Sequence, residues 1–203
     1  MKCRITYEKT GIGRYIGHLD LQRIFQRALR RGGLKPKYSE GFNPHPLISF
    51  ASPLALGMTG LGELVDVELF DTLDPREILQ KLNNGLPQGL GALKCDEISP
   101  GEKSAAALLR KAVYLIEFGN LEMSEIVRAV SMFSAQSKEE IKNYVYAIEA
   151  KDSASEPPII EATIACGGKG NLNPKILAET LSELAGVTFD PISTEYTRRE
   201  LIF

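Results

Sequence analysis

Residues 18–33 read HLDLQRIFQRALRRGG, and this stretch decides how the first half of the chain is interpreted. At 100° per residue its apolar side chains fall on one side of a helix, and four arginines fall within a narrow arc opposite them. The two glycines that follow are a typical helix end. The sequence therefore predicts a helix from about His18 to Arg31 that buries an aliphatic stripe and displays a row of guanidinium groups. These groups belong to Arg23, Arg27, Arg30 and Arg31.

Strands and a second helix surround this helix in the first half. A helix is predicted from Pro75 to about residue 84, with Asp74 as its N-cap and proline at the first helical position. Residues 34–38 are extended and lead into the loop 39–46, which two prolines and a glycine keep out of regular structure. Four segments have the apolar patterning of strands: residues 4–7, 47–50, 61–70 and 90–98.

The second half repeats this order of elements without strong sequence identity to the first. One helix is predicted at 124–133 with Ser124 as its cap, and another from Pro174 through 184 with Asn173 as its cap. A linker rich in Ser, Glu and Pro is predicted at 152–158. Strands are predicted at residues 112–118, 144–150, 159–166 and 192–201.

Each half thus has the order β-α-β-β-α-β, which is the split βαβ arrangement of a ferredoxin-like module. We predict an α+β protein of two tandem ferredoxin-like (βαββαβ) modules. The basic N-terminal module is expected at residues 1–98, a linker at 99–110 and the C-terminal module at 111–203.

The composition is that of a folded protein outside the membrane. Of the 203 residues, 43% are apolar and 25% are charged, which is ordinary for a globular chain. No apolar run reaches the roughly 18 residues that span a bilayer. The N-terminus enters a strand pattern with no hydrophobic signal segment. We expect a cytoplasmic protein with no membrane partner.

The cysteines give no indication of a covalent or metal framework. Cys3, Cys95 and Cys166 are an odd number, lie far apart and form no CxxC pair, which argues against disulfides and a zinc site. We expect them to pack as small apolar residues. The sequence predicts no cofactor.

Positive charge is concentrated at the start of the chain. Residues 1–50 hold ten Lys and Arg against three Asp and Glu, a net charge of +7, whereas the other 153 residues carry −9. Such a split indicates a surface that faces a polyanion. Because guanidinium groups bind phosphate oxygens bidentately, the arginine row predicts binding to RNA or another phosphorylated ligand. An acidic surface of a partner protein and plain solvent exposure are the alternatives.

The loop 39–46, SEGFNPHP, is the most unusual segment and follows the arginines closely. Its aromatic residue is either an exposed stacking platform for a base or a side chain that plugs the core. A stiff polar loop beside basic residues is a plausible place for a binding site. The predicted contact residues, beyond the four arginines, are Lys35, Lys37, Phe42, Asn43 and His45.

His18 and His45 are the two histidines and the candidate catalytic residues. Either could act as a general base, as in metal-free RNA cleavage, or as a metal ligand. Asp20 does not support His18, because side chains two apart on a helix do not face each other. The structural alternative is that His18 caps the helix and His45 packs within its loop. A third convincing ligand is missing, so no metal site is predicted.

Residues 167–171 read GGKGN directly before a predicted helix. Backbone N–H groups at such a position attract anions. The spacing does not match the P-loop pattern GxxxxGK[ST]. The segment is interpreted either as an auxiliary phosphate contact or as a flexible turn.

Several linear motifs resemble one bacterial family. They are GHLDL at 17–21, RALRRGGL at 27–34, YSEGFNPHP at 38–46 and FASPL at 50–54, with Gly57 and Glu63. Together they resemble the radical-SAM-linked family of unknown function, DUF2344, strongly over residues 1–98 and weakly over 167–174. Members of that family are encoded beside uncharacterised radical SAM proteins or fused to their C-termini. The resemblance implies a radical SAM protein as partner, since this chain lacks the CxxxCxxC motif of a radical SAM core.

Three functional hypotheses follow, and no activity is carried over from the family. The first is a non-catalytic adaptor that holds structured RNA for a radical SAM modifying enzyme. The second is a protein-interaction module that docks on the radical SAM protein without RNA. The third is a metal-independent endoribonuclease that uses His18 or His45. Tandem ferredoxin-like modules do occur in RNA-processing proteins, which is an analogy of fold alone.

Overall fold

The computed structural model describes residues 1–99, 101–151 and 157–203, which form two compact units, Met1–Leu109 and Arg110–Phe203. Both units combine helices with antiparallel strands, so the protein is α+β. The predicted domain bounds stay a prediction. Residue 100 of the predicted 99–110 linker and most of the linker predicted at 152–158 lie outside the described residues.

The first unit has four strands in the order β4-β1-β3-β2, and every neighbouring pair is antiparallel. A short 3-10 helix, Gly11–Tyr15, follows the first strand. The strands and α-helices are β1 (Lys2–Lys9), α1 (His18–Arg31), β2 (Ile48–Phe50), β3 (Thr59–Glu68), α2 (Pro75–Asn83), β4 (Leu90–Glu97) and α3 (Ala105–Leu108).

Buried and partly exposed residues alternate along β1, and the buried ones mark the sheet face that α1 and α2 cover. Every second residue from Cys3 to Lys9 is buried, whereas the residues between them are partly exposed. The core joins the buried residues of β1 and β3 to the apolar sides of α1 and α2. The side chains that alternate with these residues therefore lie on the opposite face. They include Lys2, Arg4, Asp66 and Glu68.

Helix α1 has the bounds that its periodicity predicted. Its apolar stripe is buried, and its end lies against the end of α2. A Cβ on Gly32 would come within 2.2 Å of the Lys81 carbonyl oxygen, and one on Gly85 within 2.5 Å of the Ala28 carbonyl oxygen. Only glycine permits such backbone approach, so these two residues fix how the arginine-bearing helix is seated.

The stretch that was predicted as a linker contains a helix. Ser104 caps α3 by accepting a hydrogen bond from Ala107 N, and Ala105 is buried. The Ala105 amide donates to Oδ2 of Asp66 at 2.8 Å. Residues 101–109 therefore belong to the first unit and place the start of α3 on the sheet face opposite α1.

The second unit has four strands in the order β8-β5-β7-β6, again with antiparallel neighbours. Its elements are β5 (Lys111–Phe118), α4 (Met123–Gln136), α5 (Glu139–Lys142), β6 (Val145–Lys151), β7 (Ile159–Ala165), α6 (Pro174–Ala185) and β8 (Thr194–Ile202).

The helix caps of this unit confirm one prediction and correct another. Asn173 caps α6 through a hydrogen bond from Lys175 N at 3.0 Å, as predicted. The prediction that Ser124 caps α4 is wrong, because Glu122 occupies that position and forms a capping box with Glu125. The short helix α5 was not predicted.

Two further predictions concern the burial of the cysteines and the lack of a membrane-spanning segment. Cys3, Cys95 and Cys166 are all buried. Across the ranges that the structure describes, no helix combines the length and the apolar character needed to cross a bilayer.

Candidate nucleic-acid interface

The four arginines of α1 form an exposed surface on the side of the helix that faces away from the core, and we call these residues the arginine surface. Arg23, Arg27, Arg30 and Arg31 are all exposed. Their positions follow from the helical period, because Leu21, Phe25, Ala28 and Leu29 turn the opposite side of α1 into the core.

Two of the four guanidinium groups have local partners. Arg23 forms an ion pair with Asp20 at 3.0 Å, and both side chains are about two-thirds exposed (66% and 65%). Arg31 donates to the Gly85 carbonyl oxygen at 2.8 Å, which leaves its remaining donors and its full charge available. An exposed pair such as Arg23–Asp20 contributes only about 0–1 kcal/mol, so a phosphate can readily replace the carboxylate.

The other two guanidinium groups are available to a ligand. Within the described ranges, neither Arg27 nor Arg30 forms an ion pair or a side-chain hydrogen bond. Among the four arginines of the arginine surface, Arg23 alone forms an ion pair with a carboxylate in the described ranges.

The loop 39–46 is closed at its base by hydrogen bonds. Ser39 N donates to the His45 carbonyl oxygen at 2.8 Å, and His45 N donates to Ser39 Oγ at 3.1 Å. Ser39 Oγ also lies 2.9 Å from Nδ1 of His45. Backbone and side-chain hydrogen bonds therefore both hold the two ends of the loop together, and residues 40–44 form its tip.

Phe42 and Asn43 lie at this tip, and both are exposed. Phe42 is fully exposed, so the interpretation that it plugs the core is wrong. An isolated, fully exposed phenyl ring on a closed loop offers both of its faces to a flat partner such as a nucleobase.

The two predicted lysines differ in their surroundings. Lys35 pairs with Asp71 at 3.4 Å on the surface. Lys37 is half-buried, and its backbone joins β3 through a hydrogen bond from Lys37 N to the Glu68 carbonyl oxygen at 2.8 Å. Lys37 also lines a cleft on the sheet face opposite α1.

His18 is the first residue of α1, and Gly17 occupies the cap position, so His18 does not cap the helix. Its Nε2 accepts a hydrogen bond from the Gln22 amide nitrogen at 3.0 Å. Its ring packs edge-on against Phe50, with 5.6 Å between the ring centroids. Among the described residues no carboxylate pairs with this imidazole to orient it as a base, and Asp20 pairs with Arg23 instead.

His45 lies on the other side of the sheet. It lines a cleft together with Lys2, Asp66 and Glu68, whose positions alternate with the buried residues of β1 and β3. The structure therefore places His45 and the arginine surface on opposite faces of the first unit's sheet. The loop 39–46 carries Phe42 and Asn43 together with His45.

Two adjoining cavities lie on the sheet face opposite α1, and we call them together the open-face cleft. The larger has a volume of about 480 Å³ and the smaller of about 170 Å³, and Lys2 and Glu68 line both. Sequence reasoning missed this cleft. The signal that could have found it is the run of charged residues at alternate positions of β1 and β3, which predicts one polar sheet face.

Residues 167–171, the GGKGN segment, pack against the rest of the second unit. Asn173 already caps the helix after residues 167–171, and Gly170 lies so close to Tyr144 that a Cβ would meet the ring at 2.7 Å. The segment therefore packs as a turn. In the described part of the chain, no three His, Cys, Asp or Glu side chains are grouped to hold a metal ion.

The comparisons with known proteins give a family but no activity. A family model described as "Uncharacterized protein conserved in bacteria (DUF2344)" matches residues 2–174. No curated protein matches the sequence. One similar solved structure is an unknown protein from Galdieria sulphuraria, with 10% sequence identity and a TM-score of 0.25 over all of this chain and 98% of that one.

Proposed function

The chain belongs to the DUF2344 family, and we propose that it is an RNA-binding accessory protein that works with a radical SAM enzyme in RNA modification. The observation that carries the proposal is the arginine surface. It presents four exposed guanidinium groups on one side of a rigid helix, and Arg27 and Arg30 have no internal carboxylate partner in the described ranges. Phosphate oxygens are the ligands that such a row accepts bidentately.

The fold proposed for this function is a pair of ferredoxin-like modules. Each unit has the element order βαββαβ, apart from the added short helices, and a strand order in which the first strand lies between the third and the fourth. RNA-binding sheets of this type usually stack bases on aromatic residues of the open face. On that face, β1 and β3 carry Lys2, Arg4, Asp66 and Glu68 instead. Bases are therefore not expected to stack on the sheet itself, and the phosphate contacts are expected at the arginine surface and the stacking contact at the exposed ring of Phe42.

The radical SAM partnership rests on the resemblance of the linear motifs. The chain carries no CxxxCxxC motif of its own, so in this proposal it holds the RNA and the partner performs the chemistry. The proposal predicts that the two proteins and the RNA form one complex, which is weakened when the RNA is digested.

Docking on a partner protein without RNA is the second candidate, and one observation favours it. The 3-10 helix and the segment before Gly57 are joined by a hydrogen bond from Gly57 N to the Arg14 carbonyl oxygen at 2.9 Å. These two segments and the start of α1 expose large apolar side chains, which is typical of protein-interaction surfaces. They are Ile12, Tyr15, Leu19 and Leu56, each 64–67% exposed.

A filter-binding titration with structured RNA at two salt concentrations tests the first candidate. The test variant changes Arg23, Arg27, Arg30 and Arg31 to Gln. The control variant removes the same charge elsewhere by changing Lys94, Lys138, Lys169 and Lys175 to Gln. RNA affinity that is lost in the first variant and kept in the second supports the proposal. Equal loss in both, or no RNA affinity at all, refutes it. Co-purification with the radical SAM protein that survives nuclease treatment favours the second candidate.

A further inference from the structure

The open-face cleft is large enough for a small ligand. Its larger cavity, of about 480 Å³, falls within the range of about 300–1,000 Å³ that is usual for small-molecule sites. The smaller cavity is bordered by β2, by the base of the loop 39–46 and by Ser104 at the start of α3. Asp66 joins β1 to the start of α3, because it binds both Arg4 and the Ala105 amide.

The charges around the smaller cavity nearly cancel. Lys2 stands directly opposite Glu68 in the strand register, yet the two side chains form no ion pair within the described ranges. The second carboxylate, Asp66, is neutralised by Arg4 at 2.8 Å. An isolated phosphate would lie beside Glu68, and an isolated cation beside Lys2, so neither ion is favoured. A neutral ligand with donors and acceptors side by side fits this pair better.

The charges around the larger cavity also nearly balance. Lys2 and Lys37 face three glutamates, of which Glu102 is paired with Arg4 at 3.5 Å. The remaining lysines and glutamates are two of each, so this cavity also lacks a strong net charge.

His45 lines the smaller cavity, and its imidazole is oriented by the contact between Nδ1 and Ser39 Oγ at 2.9 Å. Histidine is among the side chains on which unstacked bases pack. Pro46 and Ile48 add apolar lining beside the ring.

Building on the proposed RNA-binding function, we infer that the open-face cleft holds one unstacked nucleoside of the bound RNA, with a base that carries an exocyclic amino group. Glu68 accepts hydrogen bonds from the amino group, and Lys2 donates to the adjacent ring nitrogen or carbonyl oxygen. Guanine, cytosine and adenine have such a pair of groups on one edge. Uracil lacks the amino group and offers Glu68 only the single N–H of its N3, which is flanked by two carbonyl oxygens that repel the carboxylate.

Free nucleosides test this inference separately from RNA binding, because they carry no phosphate for the arginine surface. Guanosine, cytidine, adenosine and uridine are titrated into the isotope-labelled full chain and followed by NMR. The three amino-bearing nucleosides are expected to shift backbone amides at residues 45, 47–49 and 66–68, with uridine about tenfold weaker. Glu68→Gln removes this preference, and Glu77→Gln on α2 serves as the control with the same charge change.

The outcomes separate the two proposals. The inference is overturned if no nucleoside shifts these amides, if uridine binds as well as the others, or if Glu68→Gln changes nothing. Wild-type RNA binding in that case leaves the proposed function standing. The variant with the four arginines changed to Gln must lose RNA and keep guanosine binding. Loss of guanosine binding in that folded variant also contradicts the inference.

Discussion

Arg4 binds Asp66 through two hydrogen bonds, from Nε to Oδ1 at 2.8 Å and from Nη2 to Oδ2 at 3.2 Å. The Asp66 side chain is 2% exposed and that of Arg4 is 12% exposed. This basic residue of the N-terminal segment therefore serves the fold, because the same carboxylate also anchors α3. Among the described residues, no arginine of α1 forms a comparable buried ion pair, and Arg31 contributes a single hydrogen bond to the Gly85 carbonyl oxygen.

Removing the carboxylate of Asp66 is expected to destabilise the first unit. Asp66→Ala leaves the Arg4 guanidinium largely buried without its bidentate partner and frees the Ala105 amide, which should cost about 3–5 kcal/mol. Chemical denaturation measures the loss. Asp20→Ala, which breaks the exposed pair with Arg23, should change the free energy of unfolding by about 1 kcal/mol or less. Equal effects of the two substitutions would contradict this account of the Arg4–Asp66 pair.

The close packing of α1 against the end of α2 depends on Gly32. In Gly32→Ala the new methyl group would meet the Lys81 carbonyl oxygen at 2.2 Å, so α1 and the end of α2 must move apart. We expect destabilisation of about 1–3 kcal/mol, measured as a lower denaturation midpoint. Gly168→Ala is the control, because nothing lies within 4 Å of a Cβ at that position. A Gly32→Ala protein as stable as wild type would show that the close approach does not hold the helix.

How far the sequence could predict this fold depends on the length of each element. Helix α1 was predicted with its observed bounds because fourteen residues show the full amphipathic period and glycines end it. The four-residue helices α3 and α5 are too short to show a period, so they were missed. The cap of α4 was mispredicted because Ser is the usual cap residue, whereas here two glutamates, Glu122 and Glu125, satisfy the backbone jointly.

Only part of the candidate site could be predicted from the sequence. The exposure of the arginines follows from the helical period alone. The position of His45 does not, because it depends on which strand positions meet across the sheet and on the hydrogen bonds that close the loop 39–46. Local patterns contain no information about such distant pairs.

Phe42 is expected to contribute to RNA affinity and not to stability. Its ring is fully exposed, so Phe42→Ala should leave the denaturation midpoint unchanged. Loss of one stacked base should weaken binding to single-stranded RNA by about 1–3 kcal/mol. Phe70→Ala removes another exposed phenyl ring, at 64% exposure, and should leave RNA binding unchanged. Equal RNA affinity of the two variants would argue against a stacking role for Phe42.

The protein is expected to leave RNA intact. His18 packs on Phe50 and accepts from Gln22, and His45 contacts Ser39. In the part of the chain that the structure describes, neither imidazole is paired with a carboxylate that would orient it as a base. Gel analysis of labelled RNA after long incubation without metal measures this. Cleavage by the wild-type protein that disappears in His18→Ala or His45→Ala would instead establish the endoribonuclease hypothesis.

Tyr196 makes the stability of the second unit sensitive to alkaline pH. Burial raises the pKa of its phenol, and the charge of Glu179 adds to the shift. Because this pKa lies above the unfolded value of about 10, the contribution is complete below pH 10 and is lost as the pH rises further. The unfolding free energy of the wild type should therefore fall more steeply above pH 10 than that of Tyr196→Phe.

The same substitution has a second expected effect at neutral pH. Within the described ranges the buried Tyr196 hydroxyl has no hydrogen-bond partner, so Tyr196→Phe should be neutral or stabilising by about 1 kcal/mol. Tyr38→Phe, at a tyrosine that is 40% exposed, is the control. A strongly destabilised Tyr196→Phe protein would show that the hydroxyl has a partner after all.

The salt dependence of RNA binding tests the arginine surface most directly. The slope of log affinity against log salt concentration falls by about 0.7 for each lost contact with a single strand, so removing four guanidinium groups should reduce it by about 3. The variant with Arg23, Arg27, Arg30 and Arg31 changed to Gln is predicted to show that reduction, and the four-lysine control is predicted to keep the wild-type slope. Equal slopes in all three proteins would contradict a role for α1 in binding nucleic acid.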